Sequence, residues 1–188
     1  MAIYSVDELQ ALGFASVGDN VRVSRLASIY GAQRIHLGNH VRIDDFCVLS
    51  AGVGGISIGS YVHIAVYTCL IGAGHIGIAD FANISSRVSI YSSSDDYSGQ
   101  FMTNPMVSAD FTGVEHADVE IAEHVIIGSG SVVLPGVKLG LGVAVGALSL
   151  VNSSVEPWQI VAGQPAKFIK HRKNDLLMLA DAFLQQSR

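Results

Sequence analysis

The sequence predicts an all-β chain wound into a parallel β-helix of about six coils, and three observations in it lead there. The first is a period of six. Aliphatic residues recur at Val17, Val23, Ile29, then Leu37, Ile43, Leu49, then Ile58, Ile64, Leu70, then Ile78, Ile84, Ile90. After a break they resume at Ile121, Ile127, Val133, Leu139, Val145 and Val151. An amphipathic helix repeats at 3.6 residues, so this spacing suits very short strands joined by tight turns instead. The second observation is a small or branched side chain four residues after each aliphatic, as at Val21, Val41, Cys47, Val62, Thr68, Val88, Ser131 and Val143, with Gln33 the clear departure. The third is a register jump after every third unit, from 29 to 37, 49 to 58 and 70 to 78. Three units therefore make one coil, and the extra residues bulge from the same corner each time. Stacking pairs each strand with its equivalents above and below and encloses one apolar core. A β-sandwich with unusually regular spacing is the competing architecture.

Residues 1–14 precede the repeat, and their Ser5-x-x-Glu8 spacing is a capping box that opens a short helix. The repeat spans 15–170, interrupted by an excursion at 92–118. That loop exceeds an ordinary connection, and its Tyr97, Phe101, Met102, Met106 and Phe111 are too apolar for a free linker. All four prolines follow residue 104, in the excursion, a turn or the exit from the repeat. Residues 171–188 end in "NDLLMLADAFLQQ", which places Leu176, Leu177, Ala180, Phe183 and Leu184 on one helical face. This helix is expected to cap the last coil or to pack on a neighbouring subunit.

Composition excludes several classes. The formal charge of −5 argues against a nucleic-acid partner, which favours a basic face. No apolar run approaches a membrane span, and Asp7 and Glu8 with no basic flank argue against a signal peptide. Cys47 and Cys69 are too few for a disulfide framework and fit free thiols in a cytoplasmic protein. Apolar residues make up 49% and charged residues 14%, which calls for burial between subunits.

Units such as "VGDNVR", "LGNHVR", "IGSYVH" and "IGSGSV" resemble the hexapeptide repeats of the left-handed β-helix acyltransferases, over about residues 15–170. The resemblance supplies the left hand, which periodicity cannot, and implies a homotrimer with active sites between subunits. The exit "GQPAKFIK" is similar to the family's ending, where small residues admit a pantetheine arm and basic residues meet the phosphates of coenzyme A. The physics agrees, because phosphates need fixed positive charge and pantetheine needs a narrow groove. Carried over by the repeat, the coenzyme-contacting positions are Ser129, Ala147, Asn152, Lys167 and Lys170. Acetyl-coenzyme A is the implied acyl donor, and no metal is expected.

The acceptor site departs from the family. Where galactoside and maltose acetyltransferases have a catalytic histidine at the start of the excursion, this chain has Asp95, followed by Asp96. Ile126 replaces an aromatic that walls the acceptor. "Ser-Ser-Ser-Asp-Asp" is also ordinary turn chemistry. Among seven histidines, His63 in "YVHIAVY" lies beside Ala65, the position that aligns with an acceptor-binding asparagine. His63 is thus the candidate general base, working with Asp95 and Asp96; a turn histidine with no catalytic role is the alternative, and His116 is a further candidate. The resemblance implies O-acetylation of a sugar hydroxyl in polysaccharide or lipopolysaccharide assembly. N-acetylation of a nucleotide-linked amino sugar is the alternative, and would need less help from a base. Two readings from other classes are a non-enzymatic scaffold and a zinc carbonic anhydrase, which needs three converging histidines.

Overall fold

The computed structural model describes residues 2–186 of the chain. Each coil gives one short strand to each of three sheets, of six, eight and six strands, whose order follows every third strand of the sequence. The first sheet runs from Ser16–Val17 to Lys138–Leu139, the second from Arg22–Val23 to Lys167–His171, and the third from Ser28–Tyr30 to Leu150–Val151. Pairing within the repeat is parallel and in register, so Leu37 stacks on Ile58, Ile64 on Ile84, and Leu70 on Ile90. Ile43, Leu49, Ile64, Leu70, Ile84, Ile90, Ile127 and Val133 have no exposed surface. Each such side chain contributes about 1.5–3 kcal/mol by leaving water. The inward polar residues bond locally. Thr68 donates to the Ser85 carbonyl and Ser131 to that of Gly146, so the core holds no orphaned polar group there.

The turns explain why the chain tolerates bulky residues where glycine is usual. Along the edge between the first and second sheets, His40, Tyr61, Phe81 and His124 all sit at φ of 57–60°. A left-handed conformation costs roughly 1–2 kcal/mol per residue for a side chain of this kind. Successive rings stack, with centroids 4.6 Å apart for His40–Tyr61, 5.0 Å for Tyr61–Phe81 and 4.9 Å for Phe81–His124. Each stacked pair returns about 0.5–1.5 kcal/mol beyond its burial. The stacking offsets part of the backbone strain.

The capping box forms as predicted at the start of α1, Val6–Ala11, with Ser5 and Glu8 bonding each other's backbone. Gln33 breaks the pattern because Ala32–Arg34 is a turn of 3-10 helix. From there the Arg34 guanidinium reaches back to the carbonyls of Ala51 and Gly52.

One expectation, that the last helix caps the end of the repeat, needs correction. The exit at 163–171 leaves the repeat as a strand. It reverses at Gly163 (φ 106°) and the cis Gln164–Pro165 bond, and lays Lys167–His171 antiparallel on Gln159–Ala162. The last helix, α2, spans Leu176–Gln186 and lies along the side of the solenoid rather than over its end. Its Phe183 meets the rings of Tyr61 and Phe81 edge-on, because the aromatic column gives that ring an apolar surface to cover. The repeat resumes with the strand Val119–Ile121, directly after the excursion expected at 92–118, and Ile121 pairs with Ile78 in register. Between Ser92 and that point the excursion is tied at its base by an antiparallel pair, Ser93–Ser94 with Glu115–His116.

Candidate active site

The sheets put three different rows of side chains outward, and the site follows from them. On the second sheet the row runs Arg22, Arg42, His63, Asn83, Ile126, Ala144, Ile160 and, on the antiparallel return, Lys170. On the third it runs Ser28, Val48, Cys69, Ser89, Val132 and Leu150, small or apolar and only half-buried in the single chain.

His63 is half-exposed, and its Nε2 lies 2.9 Å from Oδ2 of Asp44, one coil earlier. The other carboxylate oxygen of Asp44 accepts from Nε of Arg42 at 2.7 Å. Burial pushes the Asp44 carboxyl up, but the bonds from His63 and Arg42 outweigh it and hold the group below the usual carboxylate range. A bond at Nε2 leaves Nδ1 of His63 as the ring nitrogen free to act. The expected partnership of His63 with Asp95 and Asp96 is therefore not made within the chain: the acid on His63 is Asp44. The sequence carried a signal for it, since Asp44 follows Ile43, the residue that stacks under Ile64 in the next coil.

The loop carboxylates go separate ways. Asp96 accepts from the backbone N–H of Ser98, Gly99 and Phe101 and from the Ser98 hydroxyl at 2.7 Å. The hydroxyl bond comes first among the causes that lower its pKa. Asp96 organises the turn. Asp95 is exposed instead, in a hollow of about 440 Å³ with Tyr91, Ser93, Tyr97, Val132 and Pro135, against the third sheet and the bulged corner. It thus sits on a different face from His63. His116, the other candidate, has its Nδ1 2.8 Å from the Ser93 hydroxyl and belongs to the base of the excursion.

The positions carried over for coenzyme A fall at two places. Ser129 and Ala147 line one hollow of about 460 Å³ with Val66, Tyr67, Ser86 and Arg87. The Ser86 hydroxyl donates to that of Ser129 at 3.2 Å. Beside this hollow the absence of a side chain at Gly128 lets successive coils approach closely, since a Cβ there would stand 2.5 Å from the Ala147 nitrogen. Arg87, which sequence reasoning passed over, holds its guanidinium 5.9 Å from the Tyr67 ring centre on the rim. Asn152, Lys167 and Lys170 are exposed near the C-terminal end of the solenoid, the lysines on the antiparallel strand. Both cysteines are free thiols, and burial raises their pKa, that of Cys47 to about 11, so neither is a poised nucleophile. Among the described residues no three His, Cys, Asp or Glu side chains gather as metal ligands.

No family model matches the chain. A search of known proteins finds the dTDP-4-amino-4,6-dideoxy-D-glucose acyltransferase of Escherichia coli, 52% identical over 183 residues, covering 97% of this chain and 95% of that enzyme. Among solved structures, AntD, an N-acyltransferase from Bacillus cereus in complex with dTDP and 3-hydroxybutyryl-CoA, is 46% identical and superposes at a TM-score of 0.95 over 100% of this chain and 99% of its own. This chain belongs to the hexapeptide-repeat acyltransferases. A maltose O-acetyltransferase from Clostridium difficile, 21% identical with a TM-score of 0.60 over 89% of this chain and 74% of its own, shares the fold alone. The hexapeptide-repeat acyltransferase fold is a left-handed parallel β-helix, as the repeat motifs implied. No helix among the described residues is long and apolar enough to cross a membrane.

Proposed function

We propose that this protein transfers an acyl group from a coenzyme A thioester to the amino group of a thymidine-diphosphate-linked 4-amino-4,6-dideoxyhexose. The observation that carries the reading is likeness over nearly the whole chain to an enzyme named for that substrate, at 52% identity, and to an N-acyltransferase solved with dTDP and an acyl-coenzyme A, at 46%. A complex of an AntD variant with dTDP-4-amino-4,6-dideoxyglucose and coenzyme A, 45% identical to this chain, supports the same acceptor. The O-acetylation first expected from the family gives way to its alternative, and the missing loop histidine then has a reason. An amine is a far better nucleophile than a hydroxyl and needs no strong base once its own extra proton is gone.

Asp95 suits that chemistry. A carboxylate holds the acceptor's nitrogen by a charge-assisted hydrogen bond. As the nitrogen attacks the thioester carbonyl carbon its protons become strongly acidic, so even a weak base can take one. The C–S bond then breaks, and the proton leaves with the thiolate as free coenzyme A. Ser129, Ala147 and Asn152 would flank the pantetheine arm, and Lys167 and Lys170 would meet its phosphates. The site is completed in a homotrimer, where the half-buried apolar row of the third sheet packs beside the second sheet of a neighbour. That arrangement brings Asp95 of one subunit toward the face that carries His63 on the next.

A second reading keeps His63 as the base, and the Asp44 bond favours it, because a carboxylate–imidazole pair fixes the tautomer and steadies an imidazolium. Turnover of the purified protein with dTDP-4-amino-4,6-dideoxyglucose and acetyl-coenzyme A, followed by mass spectrometry, tests both. Asp95→Asn should lower kcat roughly 10²–10⁴-fold with coenzyme A affinity kept, while His63→Ala changes it little. The reverse pattern selects His63. No acylated nucleotide sugar with any acyl donor would overturn the function itself.

A further inference from the structure

A nucleotide-linked acceptor brings a diphosphate with it, and no motif of the sequence announces where that group would lie. We infer that the acceptor's diphosphate lies on the outward row of the second sheet, gripped by Arg22 and Arg42, with the sugar extending over His63 and Asn83. The inference rests on the nucleotide-sugar reading above and assigns its anion subsite.

The four residues occupy consecutive rungs in register. At about 4.8 Å per rung the row from Arg22 to Asn83 spans about 14 Å, long enough for a diphosphate and a hexose laid along the solenoid. Polarity changes along the same row. Arginines give way to His63 and Asn83, then to Ile126, Ala144 and Ile160, and the row ends at Lys170. Cation, polar, apolar, cation is the sequence of groups met along two substrates placed end to end: diphosphate, sugar, acyl-pantetheine, coenzyme phosphate.

The other described cations lie off this row, lie at its far end or are committed elsewhere: Arg87 sits over the Tyr67 ring on the rim of the Ser129–Ala147 hollow, and Lys138 belongs to the first sheet. Arg25 is bound to Glu8 and to the Ile3 carbonyl, Arg34 to Ala51 and Gly52, and Arg172 to the carbonyls of His124 and Gly142. The lysines of the exit lie at the opposite end of the solenoid. Arg22 is exposed and makes no ion pair among the described residues. Arg42 commits only Nε to Asp44, which leaves its two terminal nitrogens for a ligand. That leaves the planar donor edge suited to phosphate oxygens. Asp44 does not present a competing charge to the ligand, since its side chain is only 13% exposed and both oxygens are occupied. It is a positioning residue, holding Arg42 and His63 on adjacent rungs. Beyond Arg22, a hollow of about 740 Å³ opens between α1 and the first coil, with Tyr4, Phe14, Asp19 and Asn20 in its wall, which leaves room for the nucleoside.

Isothermal titration of the full-length protein with dTDP, with thymidine and with coenzyme A tests the assignment. Arg22→Gln with Arg42→Gln should weaken dTDP about tenfold to a hundredfold, as expected when charged hydrogen bonds are lost. Thymidine and coenzyme A should bind as in the parent. Arg22→Gln alone, which leaves Asp44 and its partners untouched, should carry a clear part of the loss, and the parent's affinity for dTDP should fall as salt is added. A parent that binds dTDP and a double variant that binds it equally well would overturn the subsite. So would an equal loss for coenzyme A, which would mark general damage. A parent that binds no dTDP would instead remove the nucleotide-sugar reading on which the subsite depends.

Discussion

Replacing Asp44 by Asn should destabilise the protein by about 1–2 kcal/mol at neutral pH, and the loss should fade in acid. The carboxylate receives Nε of Arg42 at 2.7 Å and Nε2 of His63 at 2.9 Å, so the substitution weakens two charge-assisted bonds. Bonds of that kind are worth about 1.5–3 kcal/mol each when sheltered, and near zero to 1 when both partners are in water. Asp44 is sheltered at 13% exposure, but Arg42 and His63 are 54% and 40% exposed, which places the pair of bonds between the limits. Because the folded protein holds the Asp44 carboxyl below its ordinary range, its stabilisation is fully present above the unfolded value. It is lost as pH falls through the lowered folded value. Thermal unfolding of parent and Asp44→Asn at one fixed protein concentration should therefore differ by about 2–8 °C at pH 7. The two should converge as the parent's carboxylate is protonated. A difference that stays constant into acid would show that the cost comes from shape rather than charge, and would refute the account of this pair. The same variant should weaken dTDP, since it releases Arg42 and His63.

Two further outcomes bear on the assembly and the donor. Changing Lys167 and Lys170 together to Ala should weaken coenzyme A by roughly tenfold and its 3′-dephospho analogue much less; titration with both ligands checks this, and equal losses would remove the lysines from the terminal phosphate. Sedimentation at micromolar concentration should give a trimer, because the third sheet leaves Val48, Cys69, Val132 and Leu150 only partly covered; a monomer would sink the shared site.

The solenoid can be read from the chain alone, since a period of six needs nothing beyond local information. Each unit supplies its own inward aliphatic and its own turn, and identical units have only their neighbours to stack on. The bulged corner, the capping box and the excursion were legible for the same reason. What lies between coils was not. His63 was found as a candidate, but its acid is Asp44 from the coil below, because parallel stacking sets residues about one coil length apart side by side while the loop acids run along another face. The row from Arg22 to Asn83 is scattered through sixty residues of sequence and becomes a row only in register. The exit strand was likewise hidden: "KFIKH" has no period-six signature, and it pairs because the last coil leaves an open edge on the second sheet. A repeat fixes which way each side chain points, in or out, since that depends on the pleat alone. Which outward groups meet depends on coil lengths and on what lies across the sheet or the subunit boundary, and those distances exist only once the chain is wound.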